Sequence, residues 1–200
     1  MPARSHLPTG IILAAGLSRR MQRPKQLLPW GSGTVIEEIA GRVRGRLPET
    51  VVVLGHLAHR ISPLLAELDV RIAVNREFEQ GMLSSVKCGI AAAAEAHAYL
   101  VFLGDQPVVD GKVIDAVVDA YAETGSGIVI PVFGDKRGHP VLISSAYADE
   151  IMTLGNDEGL NVVTRGHPED TLEVAVETAT VLEDMDTPDD YQRALNRRGE

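Results

Sequence analysis

Five short apolar runs recur along the chain, and none alternates with polar positions. They are TGIILAA (9–15), ETVVVLG (49–55), VRIAVN (70–75), YLVFLG (99–104) and GIVIPV (127–132). β-Branched residues dominate them and Gly, Asn or Pro bounds most of them, which predicts strands. Without alternation, these strands are expected to be covered on both faces, as in a parallel sheet. Between them the apolar positions take helical spacing. Val35, Ile36, Ile39 and Val43 share one face, as do Val86, Ile90 and Ala93, and Val113, Val117 and Tyr121. Strand and helix in alternation predict an open α/β sheet with helices on both faces. PVFGDKRGHPVLIS (131–144) breaks the pattern, because two apolar pieces flank GDKRG. It predicts a hairpin, and with it a mixed, mostly parallel sheet. No repeat, low-complexity tract or linker divides the chain. Residues 1–200 are therefore expected to form a single domain, with 1–8 as a loose tail.

Composition narrows the function classes. The chain has 200 residues, 44% hydrophobic and 24% charged, enough for one sizeable core. A net charge of −9 argues against non-specific binding to nucleic acid or anionic membrane, which rests on broad basic surfaces. The one Cys cannot form an internal disulfide. No apolar run approaches a membrane span, and MPARSHLPTG lacks the apolar segment of a secretory signal. A cytoplasmic setting is the expectation.

Against this acidic background one stretch stands apart, GIILAAGLSRRMQRPKQLLPW (10–30). Arg19, Arg20, Arg23 and Lys25 put four cations into seven residues directly behind a strand and a glycine turn. Without them the chain carries 15 basic against 28 acidic residues. Strand ends in open α/β sheets face a crevice, and exposed backbone N–H groups there attract anions. The stretch is neither a Walker loop nor a dinucleotide fingerprint, since GxxxxGK[ST] and GxGxxG are both absent. Two readings stand, a phosphate cradle or a solvated charge run. A second stretch, VFLGDQPVVD (101–110), places Asp105 at the end of another apolar strand. Such a carboxylate either holds Mg²⁺ together with substrate phosphates or caps its own turn. The two stretches together suit magnesium–nucleotide chemistry better than either does alone.

The order of LAAGLSRRMQRPKQLLPWGSGTVIE, QGMLSSVKCGI, VFLGDQP, RGHPVLIS and DMDTPDDYQRAL resembles the MobA-like nucleotidyltransferases, and most of all their molybdenum cofactor cytidylyltransferase branch. The likeness runs from about Gly10 to Leu195. It implies a Rossmann-like domain of the nucleotide-diphospho-sugar transferase type. The implied reaction moves CMP from CTP to the phosphate of molybdopterin, releases pyrophosphate and uses Mg²⁺. The partners implied are CTP, a phosphorylated small-molecule acceptor and, beyond them, a molybdoenzyme or its insertion chaperone. By the same resemblance, Leu13, Ala14, Ala15 and Gly16 contact the nucleotide through the backbone. Arg20 and Lys25 bind phosphates, Asp105 and Asp186 hold the metal, and Ser85 and Asn75 lie near the base. His139 and Asp157 belong to segments expected to face the acceptor. The guanylyl members resemble LAGG where this chain has LAAG.

Two departures bear on specificity. Gln22 stands where the family usually has Gly, and NDEGLN (156–161) stands where it often reads GDxGAR, so a basic residue becomes Asn161. His139 suits either an acceptor pocket or a hairpin that bonds its own neighbours. The histidines lack HExxH or Cys/His spacing, which gives zinc little support. Cys88, in a helical stretch, reads as packing. The competing functions are a transferase with another phosphorylated acceptor, a nicotinamide-dependent oxidoreductase on the same fold, and a non-catalytic nucleotide-binding partner. Retention of Arg20, Lys25 and Asp105 speaks against the last.

Overall fold

Strands form where the apolar runs lie, and among the described residues one sheet takes all but two of the strands. The computed structural model describes residues 7–21, 23–155 and 157–198. In chain order it contains β1 (Thr9–Ala14), β2 (Pro29–Trp30), β3 (Gly33–Thr34), α1 (Val35–Arg44), β4 (Thr50–Leu54), α2 (Ala58–Ile61) and β5 (Arg71–Val74). Then come α3 (Met82–Ala92), β6 (Ala98–Leu103), α4 (Gly111–Thr124), β7 (Ile128–Phe133), β8 (Lys136–Arg137) and β9 (Val141–Ser144). The chain continues through α5 (Ala148–Thr153), α6 (Asn161–Gly166), β10 (Thr171–Ala175) and α7 (Pro188–Arg198). The expected α/β class and mixed sheet are what the chain adopts.

The sheet runs β10-β7-β9-β6-β1-β4-β5, with β8 paired to β7. β1 lies parallel to β4 and β6, β4 to β5, and β10 to β7. β9 runs antiparallel between β6 and β7. The expected hairpin is present in an altered form: β7 turns at Gly134 into the two-residue β8, and β9 then pairs with the opposite end of β7. β10 was not among the apolar runs, because it is a half-exposed flank containing Glu173.

Strand parity sorts the core into two layers. Ile12, Val52, Leu54, Leu100 and Phe102 pack against Ile36, Ile39 and Val43 of α1 and Val113 and Val117 of α4. Ile11, Val51, Val53, Tyr99 and Val101 face Leu83, Val86 and Ile90 of α3. Helix α1 starts cleanly because the Glu37 carboxylate accepts from both the backbone N–H (2.9 Å) and the hydroxyl (2.6 Å) of Thr34. Of the expected tail, residues 1–6 lie outside the described residues; Leu7 packs on the core and Pro8 is buried. Among the described residues no helix is long and apolar enough to cross a membrane.

The chain leaves β1 toward β4 and β5 on one side and returns as β6 on the other. At that reversal the carboxyl ends of β1 and β6 open a crevice, the place where such sheets bind ligands. Their backbones meet closely there, the Gly104 N–H donating to the Leu13 carbonyl at 2.9 Å. A Cβ on residue 104 would fall 2.6 Å from that same carbonyl oxygen. Gly104→Ala is therefore expected to cost about 1–3 kcal/mol by overpacking against backbone that cannot yield. An unchanged urea midpoint in that variant would show that the strands separate without penalty.

Candidate active site

Side chains from both ends of the chain converge at the crevice. Lys25, in a short 3-10 turn (Lys25–Leu27), is only 8% exposed. Its Nζ donates to Asp105 Oδ2 at 2.9 Å and to Asp186 Oδ1 at 2.7 Å. Asp105 follows β6 by two residues, while Asp186 precedes α7. Arg20, on the exposed side, reaches Asp186 Oδ2 at 2.8 Å. Burial pulls the Lys25 ammonium toward the neutral form, but the hydrogen bonds and charges of Asp105 and Asp186 outweigh it. Its pKa stands above the ordinary lysine value, so the side chain is a full cation at neutral pH.

The loop that delivers Lys25 is held from within. Ser18 adopts a positive φ of 51°, and its hydroxyl accepts the Lys25 backbone N–H at 3.1 Å. Gln26 is buried, and its amide donates to the carbonyls of Ala14 (3.2 Å) and Gly16 (3.4 Å). It straps the turn after β1 to the basic loop. In the sequence nothing marks Gln26 beyond its place beside Lys25. Gln22, the departure noted above, lies outside the described residues.

Two cavities adjoin the cluster. The first, about 290 Å³, is walled by Leu13, Ala15, Gly16, Lys25, Ser85 and Asp105, together with Gln26, Phe78 and Met82. The second, about 420 Å³, shares Leu13, Gly81 and Met82 with it and continues past His139, Arg137 and Asn161. Gly81, at φ 104°, is where the chain turns into α3 between the two. Burial lowers the His139 imidazole's pKa, and the charge of Asp105 opposes that shift.

The structure thus gathers Leu13, Ala15, Gly16, Arg20, Lys25, Ser85, Asp105 and Asp186 around one crevice and puts His139 on the adjoining wall. Ala14 is buried just behind, its carbonyl taken by Gln26. Two expected residues sit elsewhere. Asn75 does not line the first cavity: its amide donates to Ser84 (2.8 Å) and Ser85 (3.0 Å) and accepts the Glu77 N–H (2.8 Å). It stands behind Ser85 as a support. Asp157 is exposed and lines neither cavity; its neighbour Glu158 lines the second.

The acid pair suits a hard divalent cation, since Mg²⁺ is usually held by one or two carboxylates plus substrate phosphates. The Lys25 ammonium stands in the place where such a charge would bind. Among the described residues no group of three or more His, Cys, Asp or Glu side chains could hold a metal. Oxygens from a bound ligand would have to complete the coordination.

Comparison with known proteins identifies the family. The sequence pattern described as the MobA-like NTP transferase domain matches residues 10–172. A molybdenum cofactor cytidylyltransferase from Escherichia coli (strain K12) is 29% identical, over 94% of this chain and 95% of its own. A nicotine blue oxidoreductase from Paenarthrobacter nicotinovorans is 32% identical, over 94% of this chain and 96% of its own. The crystal structure of Rv0371c from Mycobacterium tuberculosis H37Rv in complex with manganese superposes with a TM-score of 0.79 at 28% identity, covering 95% of this chain and 98% of that one. With a family pattern spanning most of its length, the chain belongs to the MobA-like NTP transferase family and is a nucleotidyltransferase.

Proposed function

We propose that the protein transfers CMP from CTP to the phosphate of molybdopterin and releases pyrophosphate. The observation that carries this reading is the Asp105–Lys25–Asp186 cluster beside the turn after β1. A cation suited to phosphates and acids suited to a metal lie together there, which supports the reading. Phosphoryl-type transfer asks a protein mainly for positioning and charge neutralisation. The acceptor's phosphate oxygen forms a bond to the α-phosphorus of CTP. The bond from that phosphorus to the β-phosphate bridging oxygen breaks, and its electron pair leaves with pyrophosphate. No side-chain nucleophile is required.

Arg20 and Lys25 take the β- and γ-phosphates and offset the charge that builds on the departing pyrophosphate. The backbone of Leu13 to Gly16 holds the nucleotide. Ser85, which accepts from Asn75 and lines the first cavity, would donate its own proton to the base. The acceptor occupies the second cavity, with His139 on its wall. Asp105 and Asp186 would hold Mg²⁺, which lowers repulsion between the α-phosphate and the acceptor phosphate. The cytidylylated product then passes to a molybdoenzyme or its insertion chaperone.

The similarity to an oxidoreductase supports a second reading, a nicotinamide-dependent reduction on the same fold. One experiment separates them: pyrophosphate release from CTP with and without molybdopterin, run beside NAD(P)H oxidation. Release that requires both CTP and molybdopterin is the expected result. NAD(P)H consumption without pyrophosphate release would overturn the transferase reading. Release with a different phosphorylated acceptor alone would overturn only the choice of molybdopterin.

A further inference from the structure

The cations and acids of the crevice satisfy each other before any ligand arrives. Both oxygens of Asp186 are engaged, Oδ1 by Lys25 at 2.7 Å and Oδ2 by Arg20 at 2.8 Å. Asp105 Oδ2 takes the same Lys25 ammonium at 2.9 Å. The Lys25 side chain is only 10% exposed, so this pairing is shielded from water and salt more than a surface ion pair is. A divalent cation entering between the two carboxylates would meet a resident positive charge on the same oxygens. Lys25 and a metal therefore compete for the charge of this pair, most directly at Asp186, whose two oxygens are both taken.

We propose that Lys25, assisted by Arg20, is the resident counter-cation of the Asp105–Asp186 pair, and that a polyphosphate opens this pair to metal by drawing both cations away. Lysine suits the task, being a point charge on a flexible four-carbon stem. A triphosphate offers it a denser cluster of negative charge than two carboxylates do. Once the ammonium swings to the phosphates, two acids face the same nucleotide without a counter-charge. The metal then restores the balance and gains phosphate oxygens as ligands. Nucleotide and metal binding are thereby coupled, and the coupling is reciprocal: each raises the other's affinity by the same factor. Its role for the nucleotide rests on the transferase reading above. Its prediction for the nucleotide-free protein does not.

The test uses Mn²⁺ alone, with free ion read by electron paramagnetic resonance. Without nucleotide, Lys25→Met is expected to bind Mn²⁺ about tenfold or more tightly than the wild type, within the usual range of such couplings. Adding Asp105→Asn to Lys25→Met should abolish the gain, which assigns it to this pair. Arg20→Gln guards against a folding artefact, because the Arg20 side chain is 72% exposed. It should gain a smaller factor, about threefold, since it frees one oxygen of Asp186 only. Equal Mn²⁺ affinity in wild type and both variants would overturn the proposal. A wild type that titrates as expected but releases no pyrophosphate from CTP would overturn the transferase reading and leave the counter-cation in place.

Discussion

Asp105→Asn is expected to lower magnesium-dependent turnover by about two orders of magnitude or more, with the fold intact. The size of the loss follows from removing a charged element from a preorganised site, where fixed charges act without reorganisation. Asn keeps the volume and a carbonyl oxygen but loses the charge that recruits the metal. The fold should survive because Lys25 retains Asp186 at 2.7 Å, so no buried ammonium is left unpaired. The strand end around position 105 is also fixed by backbone, the Met185 N–H donating to the Asp105 carbonyl at 3.0 Å. The measurement is pyrophosphate release at saturating CTP and Mg²⁺, with a thermal melt of the same preparation. A melt close to wild type with near-normal turnover would remove Asp105 from the metal site. A melt shifted far downward would instead show that the carboxylate holds the crevice together.

The five apolar runs locate β1, β4, β5, β6 and β7 to within about a residue at most ends. Four of them are buried and admit almost no polar residue, so their limits stand out against the flanking turns. The fifth, β5, is not covered on both faces as expected: it lies at the sheet edge with Arg71 and Val74 exposed, and its apolar run still marked it. β10 was illegible for the converse reason. It flanks the sheet, and its Glu173 pairs with Arg137 across the surface, so its pattern reads as polar. The site divides in the same way. Asp105 was legible because an acid after a fully apolar strand is anomalous. Its partner Asp186 came only through family resemblance, since the two acids meet at Lys25 across 80 and 161 residues of chain. Asn75 resembles a ligand contact in sequence, at a strand end with both hydrogen-bonding groups available. In the fold those groups serve Ser84, Ser85 and Glu77, so its influence on a ligand passes through Ser85.

The concentration of positive charge behind β1 acquires a physical reason in the fold. Of the four cations, Lys25 and Arg20 turn to the acid pair, while Arg19 and Arg23 are exposed on the same loop. A chain of net charge −9 would otherwise repel a triphosphate. On the transferase reading, exposed cations on this loop are expected to offset that repulsion locally, while the acidic remainder disfavours nucleic acid.

The choice of base is expected to favour CTP over GTP and ATP by about ten- to hundredfold in kcat/KM, and Ala15 is the residue expected to enforce it. Ala15 is 5% exposed and walls the first cavity. A Cβ on residue 55 would fall 2.9 Å from the Ala15 methyl, so glycine at 55 leaves that methyl its place. A single-ring pyrimidine fits in front of it and reaches the Ser85 hydroxyl, whose donor suits the ring acceptors of cytosine. A purine is pushed outward, and its polar edge loses those partners at about 1–3 kcal/mol for each group left unpaired. Ala15→Gly removes the methyl and should shift the preference part of the way toward GTP, chiefly by raising kcat/KM for GTP. A different outcome, equal losses with CTP and GTP, would mean that Ala15 serves the turn and the base is chosen elsewhere. Wild-type protein that uses GTP as well as CTP would overturn the cytidylyl assignment and move the enzyme to the guanylyl branch.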